Sequence, residues 1–346
     1  MSTPSSPPLS PASPPTAKHC KRSQTSQDLL SFLMLVTGES PTPALVWRRA
    51  WIFVLPLLVS FYVIASFGRP PLPLLCCIVP SGVCFIGGPM SVCLHRYFSH
   101  AAFKTSRLGQ FVLACVACCA WQRGPVWWAS KHRRHHKVCD TPEDPHSAVQ
   151  TTYAYAFFGW TLAAKEYAID EEFVAKLYSF PELRVLEECW AVPPILLNAA
   201  LWRACGPHAM VCLLTLPMFV SIFVTLLFNV EFHPAHETLF VAVPSTEDCK
   251  AVDQLHPLSE LVGESFHMDH HEYPRKAMRP GLDLPGRLIL APLFWLGLIW
   301  LPQTHSRVID DEPEPDDLMA GARGGGGRGV EEDVAAAGVL RKRSSK

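Results

Sequence analysis

The chain has 346 residues, 49% of them hydrophobic and 18% charged, with a formal net charge of −1. So large an apolar share favours membrane spans over a water-soluble fold, and the near-zero charge argues against a nucleic-acid partner, which needs a basic face. Thirteen cysteines are scattered, many in apolar runs (Cys76, Cys77, Cys84, Cys93, Cys115, Cys118, Cys119, Cys212), so they read as reduced, buried, small apolar side chains, not as a disulfide scaffold.

Residues 1–45 are rich in Ser, Pro and Thr, lack apolar periodicity and read as a disordered segment. The first uncharged stretch, 51–67, follows Arg48 and Arg49. Seventeen residues is short for a hydrocarbon core of roughly 30 Å, but tolerable with aromatic and Arg anchors at its edges. After a GRPP turn a second stretch, 72–94, delivers the chain to His95, and the two predict a transmembrane hairpin. Residues 190–202, with Pro193 and Pro194 near the start, and 210–230 predict a second hairpin joined by RACGPH.

Nine of the fifteen histidines fall into four groups: His95 and His100 in HRYFSH; His132, His135 and His136 in HRRHH; His233 in NVEFH; His267, His270 and His271 in HMDHH. In the two HxxHH groups the rings stand at i, i+3 and i+4, which on a helix puts three imidazoles on one face. Two such triads beside apolar segments point to metal binding, and nine rings are too many for one ion. An all-nitrogen set favours iron, zinc or copper over calcium or magnesium. Iron suits the surroundings: an apolar bundle, no nucleophile, no polar cleft. A two-iron centre can activate O2 and take hydrogen from an unactivated C–H bond, and a substrate reached from the bilayer would be an acyl chain.

Rings that share one centre must lie on one side of the membrane, so an even number of crossings separates the second group from the third. The stretch 108–120 therefore cannot cross and should be re-entrant or interfacial. Stretch 288–301 should pack on the bundle or lie in the interface. This places Arg48, Arg49, Lys104, Arg107, Arg123, Lys131, Arg133, Arg134, Lys137, Arg275, Lys276 and Arg279 on the histidine face, which the positive-inside rule makes cytosolic. The expected fold is an all-α membrane protein, with four transmembrane helices and a cytosolic helical cap holding a His-rich di-metal site over residues 46–301. Residues 302–346, acidic and then glycine-rich and basic, read as a disordered tail.

Asp140, Glu143, Asp144, Glu231, Glu264 and Asp269 could accept the second ring N–H of ligating histidines, with Glu264 and Asp269 foremost because they lie inside GESFHMDHH. Lys131, Arg133, Arg134, Lys137, Arg275, Lys276 and Arg279 could hold CoA phosphates or lipid headgroups, or simply set topology. Trp121, Trp127, Trp128 and Trp160 could shape a substrate tunnel, although interfacial aromatic belts are the commoner use. Cys115 and Cys118 have a zinc-type spacing but no second CxxC beside them.

The order HRYFSH, HRRHHKVCDTPEDPH, NxxxH and GESFHMDHHEYP resembles the membrane-bound acyl-CoA desaturases of the stearoyl-CoA delta-9 type over roughly residues 50–300. The resemblance implies a di-iron centre under a cytosolic cap, ligated by His95, His100, His132, His135, His136, His233, His267, His270 and His271, with Asn229 reaching a metal through water. It implies an acyl-CoA or lipid-linked acyl substrate and a multi-pass protein of the endoplasmic reticulum, or of a plastid membrane. It also implies electrons from a separate donor, cytochrome b5 with its reductase or ferredoxin, since no heme-binding HPGG is present. Glu231, Pro234 and His236 depart from the family pattern, and His236 is a lesser ligand candidate. The alternatives are a related di-iron hydroxylase, which more often opens with HxxxH, and a non-catalytic membrane metal-binding protein.

Overall fold

The computed structural model describes residues 45–234 and 249–301; the expectations for 1–44, for His236 and for 302–346 fall outside the described residues. Trp51–Phe67 forms α1, without a charged residue along its length. It ends where Gly68 takes φ +80°, a conformation that suits glycine, and Pro71 opens α2, Leu72–Ser99. The second hairpin is tighter. Helix Val192–Cys205 reverses at Gly206, φ +87°, into Pro207–Glu231.

Two of these helices, Leu72–Ser99 and Pro207–Glu231, are long and apolar enough to cross a bilayer. They pack closely, for a Cβ on Gly82 would stand 3.0 Å from Val220 Cγ1. The imidazole of His208 lies 3.0 Å from the Gly68 carbonyl, so both hairpin turns meet at one end of the bundle. His95 and His233 lie at the other. Helix Val192–Cys205 has 14 residues, about 21 Å at 1.5 Å per residue, shorter than a full crossing.

The cap grows from the chain beyond α2. A two-residue strand β1, Lys104–Thr105, pairs antiparallel with β2, Ile299–Trp300, which fastens the end of the described chain beside the first histidine pair. Between them α3, Arg107–Cys118, starts at Ser106, whose hydroxyl accepts the Gly109 amide at 3.1 Å. Its 12 residues span only about 18 Å, and Leu108, Phe111, Val112 and Val116 are exposed along it, as an interfacial helix requires. Helix α4, Pro125–Lys137, carries the first triad; α5, Pro181–Glu188, packs on it. The two helices of the second hairpin are α6, Val192–Cys205, and α7, Pro207–Glu231. Then come α8, Pro257–Val262; α9, His267–Glu272, with the second triad; and α10, Gly286–Trp295, too short to cross.

Helix α4 is capped from outside. Glu187 of α5, buried, accepts the amides of Val126 at 3.0 Å and Trp127 at 3.1 Å, two donors that a helix start leaves without intrahelical partners. Gly124 is required there, because a Cβ would fall 2.2 Å from Glu187 Oε2. Glu187→Ala is expected to cost about 2 kcal/mol or more by leaving buried amides unmet, read as a lower thermal midpoint of the purified protein.

Candidate metal centre

In an α-helix, positions i and i+5 point roughly 140° apart, so HRYFSH on an ordinary helix would send its two rings in different directions. The last 14 residues of α2, from Ile86 to Ser99, are instead wound as a π-helix. The His100 amide accordingly donates to the His95 carbonyl at 3.3 Å, an i→i+5 bond that brings one histidine back above the other. His95 and His100 end 5.0 Å apart, centroid to centroid.

The nine histidines gather into two adjoining clusters. In the first, Nε2 atoms of His95 and His270 lie 2.8 Å apart, those of His100 and His132 2.8 Å, those of His132 and His136 3.1 Å, and those of His136 and His270 3.0 Å. In the second, His135 and His233 are 3.2 Å apart, His233 and His267 3.0 Å, and His267 and His271 3.2 Å. Each HxxHH triad is therefore shared: α4 gives two rings to the first cluster and one to the second, α9 one and two. His136 and His271 stack at 4.1 Å where the clusters meet.

Three carboxylates fix the tautomers. Glu264 Oε1 lies 3.1 Å from His95 Nδ1, Asp144 Oδ2 2.9 Å from His135 Nδ1, and Asp140 Oδ2 3.4 Å from His233 Nδ1. A neutral imidazole has one N–H, and with that proton at Nδ1 its Nε2 is a bare lone pair. With both rings neutral, His135 and His233 would face each other with two lone pairs at 3.2 Å, a contact relieved either by a cation between them or by a proton on His135, whose affinity burial lowers and the Asp144 carboxylate raises to a net increase. Nitrogens near 3 Å apart are what adjacent donors adopt around an ion held at about 2.1 Å. Burial first, then neighbouring positive charge, holds His132, His136, His267, His270 and His271 well below the usual imidazole value, so these rings stay neutral donors. Burial pushes the Glu264 carboxyl up, but the His95 ring and Arg279 outweigh it and bring it to about 2.

The carboxylate expectations divide. Glu264, Asp144 and Asp140 meet histidines, whereas Asp269 pairs with Lys276 at 3.3 Å, Glu231 accepts the Tyr153 hydroxyl at 3.0 Å, and Glu143 is exposed. Position inside a histidine motif misleads for Asp269, because on α9 the rings turn inward and residue 269 faces the other way. Glu264→Gln should weaken metal binding about 10- to 100-fold in chelator competition, with Glu143→Gln unchanged.

Several of the basic cap residues are paired inside the fold, which leaves fewer of them to meet an anionic ligand. Lys131 and Arg134 form a buried network with Glu166 and Asp170, Lys131 Nζ lying 2.9 Å from Asp170 and 3.3 Å from Glu166. Arg133 donates to the Phe98, Ser99 and Phe173 carbonyls. Arg279 is buried, with no hydrogen-bond partner for its guanidinium nitrogens.

A cavity opens onto the first cluster at His132, walled by Trp127, Trp128 and Trp160, with Asn229 and Thr225 opposite. Asn229 is thus placed beside the cluster, on the cavity. Gln122 braces the wall: its amide donates to Thr225 Oγ1 at 2.9 Å and its carbonyl accepts Trp128 Nε1–H at 3.0 Å. Trp127, Trp128 and Trp160 thus line this cavity, while Trp121 packs edge-to-face in a separate group with Trp51 and Trp190.

Sequence reasoning passed over three residues. His146, the last of DPH, is buried 4.4 Å from the His135 ring and lines the cavity. Cys139 and Cys249 are joined as a disulfide, against the reading of reduced, buried thiols; the ten other described cysteines are free, but only Cys93, Cys118, Cys119 and Cys212 are buried. Cys139 follows HRRHH by three residues, a signal that could have marked it; Cys249 has none.

A helical bundle with apolar helices, ending in two adjoining histidine clusters, the second with Cys139 among its candidate ligand atoms, defines a membrane-type protein whose site could hold metal. The chain belongs to the fatty acid desaturase family, whose sequence profile matches residues 69–279. Among curated relatives it is 41% identical over 99 residues to a hex-5-enoyl acyl-carrier-protein acetylenase of Moorena producens, covering 27% of this chain and 30% of the other. It is 30% identical over 133 residues to acyl-CoA desaturase 1 of Tachysurus fulvidraco, 38% of each chain. With stearoyl-CoA desaturase 5 of Bos taurus it shares 26% identity over 279 residues, 73% of this chain and 78% of that one. The chain thus spans 30% and 38% of the length of the first two relatives and 78% of the bovine one.

Proposed function

We propose that this protein is an O2-dependent fatty acyl desaturase that introduces a cis double bond into an acyl chain at a His-ligated di-iron centre. The observation that carries this reading is the convergence of nine histidine Nε2 atoms in two adjoining clusters, neighbouring nitrogens 2.8–3.2 Å apart, the first of them opening at His132 on an aromatic-walled cavity. Iron bound there would supply the power to activate O2 and remove hydrogen from an unactivated C–H bond.

The residues of this chain do the rest. His95, His100, His132, His136 and His270 would hold one ion and His135, His233, His267 and His271 the other, with Asn229 acting through water. Glu264, Asp144 and Asp140 keep protons on Nδ1 and leave Nε2 free to bind. Trp127, Trp128 and Trp160 exclude water and hold a methylene chain flat against His132, while Gln122 keeps the slot from widening.

The four-span topology is supported by the apolar surface of the two shorter hairpin helices. Phe61 and Leu58 on α1, and Leu196 and Ile195 on α6, are more than half exposed with nothing but lipid to cover them. With the histidine face cytosolic, the endoplasmic reticulum and cytochrome b5 or ferredoxin as donor follow from the family resemblance, as does position nine on an acyl-CoA. Expression in a host without its own desaturase, followed by fatty-acid profiling, is expected to show a new cis-monoene. A hydroxylated product, or none with two irons bound, would refute the reading.

A further inference from the structure

The only disulfide among the described residues lies against the second cluster and not elsewhere in the molecule. Cys139 sits three residues beyond His136, and Cys249 begins the described stretch that leads to α8. Their Cα atoms are 5.3 Å apart, a separation a disulfide spans without moving the backbone. Cys139 Sγ lies 3.6 Å from His233 Nδ1 and Cys249 Sγ 3.7 Å from His271 Nδ1, so both sulfurs cover the outer edges of rings in the same cluster. No sulfur approaches the first cluster in this way.

The segment that carries Cys249 is anchored beyond it by the buried Ala251 and Val252 and by hydrogen bonds of residues 250–254, so the disulfide governs its first residues, those that lie against the cluster. The Lys250 amide donates to Asp140 Oδ2 at 2.8 Å, the Val252 amide to the Phe232 carbonyl at 3.0 Å, and the Gln254 amide to the Ser265 carbonyl at 2.9 Å. Asp140 is the same carboxylate that faces His233, so the segment, the brace and the ring form one unit. Its residue also has φ +57°, a strained value for a side chain other than glycine, which keeps the loop turned toward the segment.

We propose that Cys139 and Cys249 are a reversible thiol–disulfide pair that closes the segment over the second cluster when oxidised and releases it when reduced, so that the cellular thiol balance controls retention of one of the two metals. The proposal rests on the di-metal reading above. On a cytosolic face small thiols keep structural disulfides rare, and those that form there are mostly redox-responsive. A small disulfide such as oxidised glutathione is the oxidant. One protein thiolate attacks it, an S–S bond breaks, and a mixed disulfide forms as one glutathione thiol leaves. The second protein thiolate attacks the mixed disulfide, the Cys139–Cys249 bond forms, and a second glutathione thiol leaves. Two protein sulfurs are oxidised, two glutathione sulfurs reduced, and the two protein thiol protons end on the released thiols.

The test uses the full chain, loaded anaerobically with ferrous iron in detergent and equilibrated with oxidised glutathione or with a phosphine reductant. Differential alkylation and peptide mapping should find Cys139 and Cys249 linked in the first buffer and separately alkylated in the second. A colorimetric ferrous chelator should then remove one of the two irons about tenfold faster after reduction, while Cys139→Ser/Cys249→Ser releases it at the reduced rate in both buffers. Full alkylation of both cysteines in oxidised glutathione would overturn the proposal, as would linkage with no change in release rate. A protein that binds no iron but shows the linked peptide would overturn the di-metal reading and the metal-retention role, leaving the redox pair itself established.

Discussion

His135→Ala is expected to abolish product formation, at least about 100-fold below the parent, and to lower bound metal from about two ions per chain to about one. The asymmetry is the informative part. His135 belongs to the second cluster, whose other rings are His233, His267 and His271, whereas His132 and His136 on the same helix serve the first. Losing one ring removes a donor and also strands the Asp144 carboxylate, which burial pushes up and the His135 ring holds well below its ordinary range. Elemental analysis of the purified variant alongside fatty-acid profiling of the host would check both halves. A His135→Ala protein that retained two metals, or made product, would remove His135 from the centre.

Asp283→Asn should be the most damaging change away from the histidines. Arg96, next to His95 on α2, donates to both oxygens of Asp283, at 3.0 Å and 2.7 Å, and to the Ala277 and Gly263 carbonyls, and both side chains are fully buried. This pair fastens the first histidine group to the chain that follows the last one. Removing the carboxylate leaves a buried guanidinium without its counter-charge, at about 3–5 kcal/mol. For a chain of this size that lowers the thermal midpoint by roughly 10 °C. Arg96→Met/Asp283→Leu should recover part of the loss, because an apolar pair leaves no charge stranded; failure of the double variant to rise above Asp283→Asn would show that geometry, not charge, is what the pair supplies. Gly263, φ +72°, is held to glycine by the same pair, since a Cβ there would fall 2.2 Å from Asp283 Oδ1.

The apolar helices and the grouping of the nine histidines were legible because each rests on composition or short spacing: an uncharged run such as 51–67, or rings at i, i+3 and i+4 on α4 and α9. What escaped depends on partners distant in the chain. Nothing near Asp269 distinguishes it from Glu264, yet one meets Lys276 and the other His95, a choice made by which side of a short helix faces the cluster. Lys131 and Arg134 looked available for an anionic substrate because Glu166 and Asp170, more than 30 positions along the chain, carry no motif. The cysteine pair, 110 residues apart, has the same character. Three of the four tryptophans line a cavity beside His132, which sequence could not distinguish from an interfacial belt because both uses take the same residue and only packing separates them.

The winding at the end of α2 bears on how such sequences are told apart. A turn closed by an i→i+5 bond brings together rings with four residues between them; a turn closed by an i→i+4 bond does so with three. Excising a single residue between His95 and His100 would let that terminus relax to the common pitch and still bring both imidazoles to one face, so the length of the opening motif is tied to the winding of the helix that carries it.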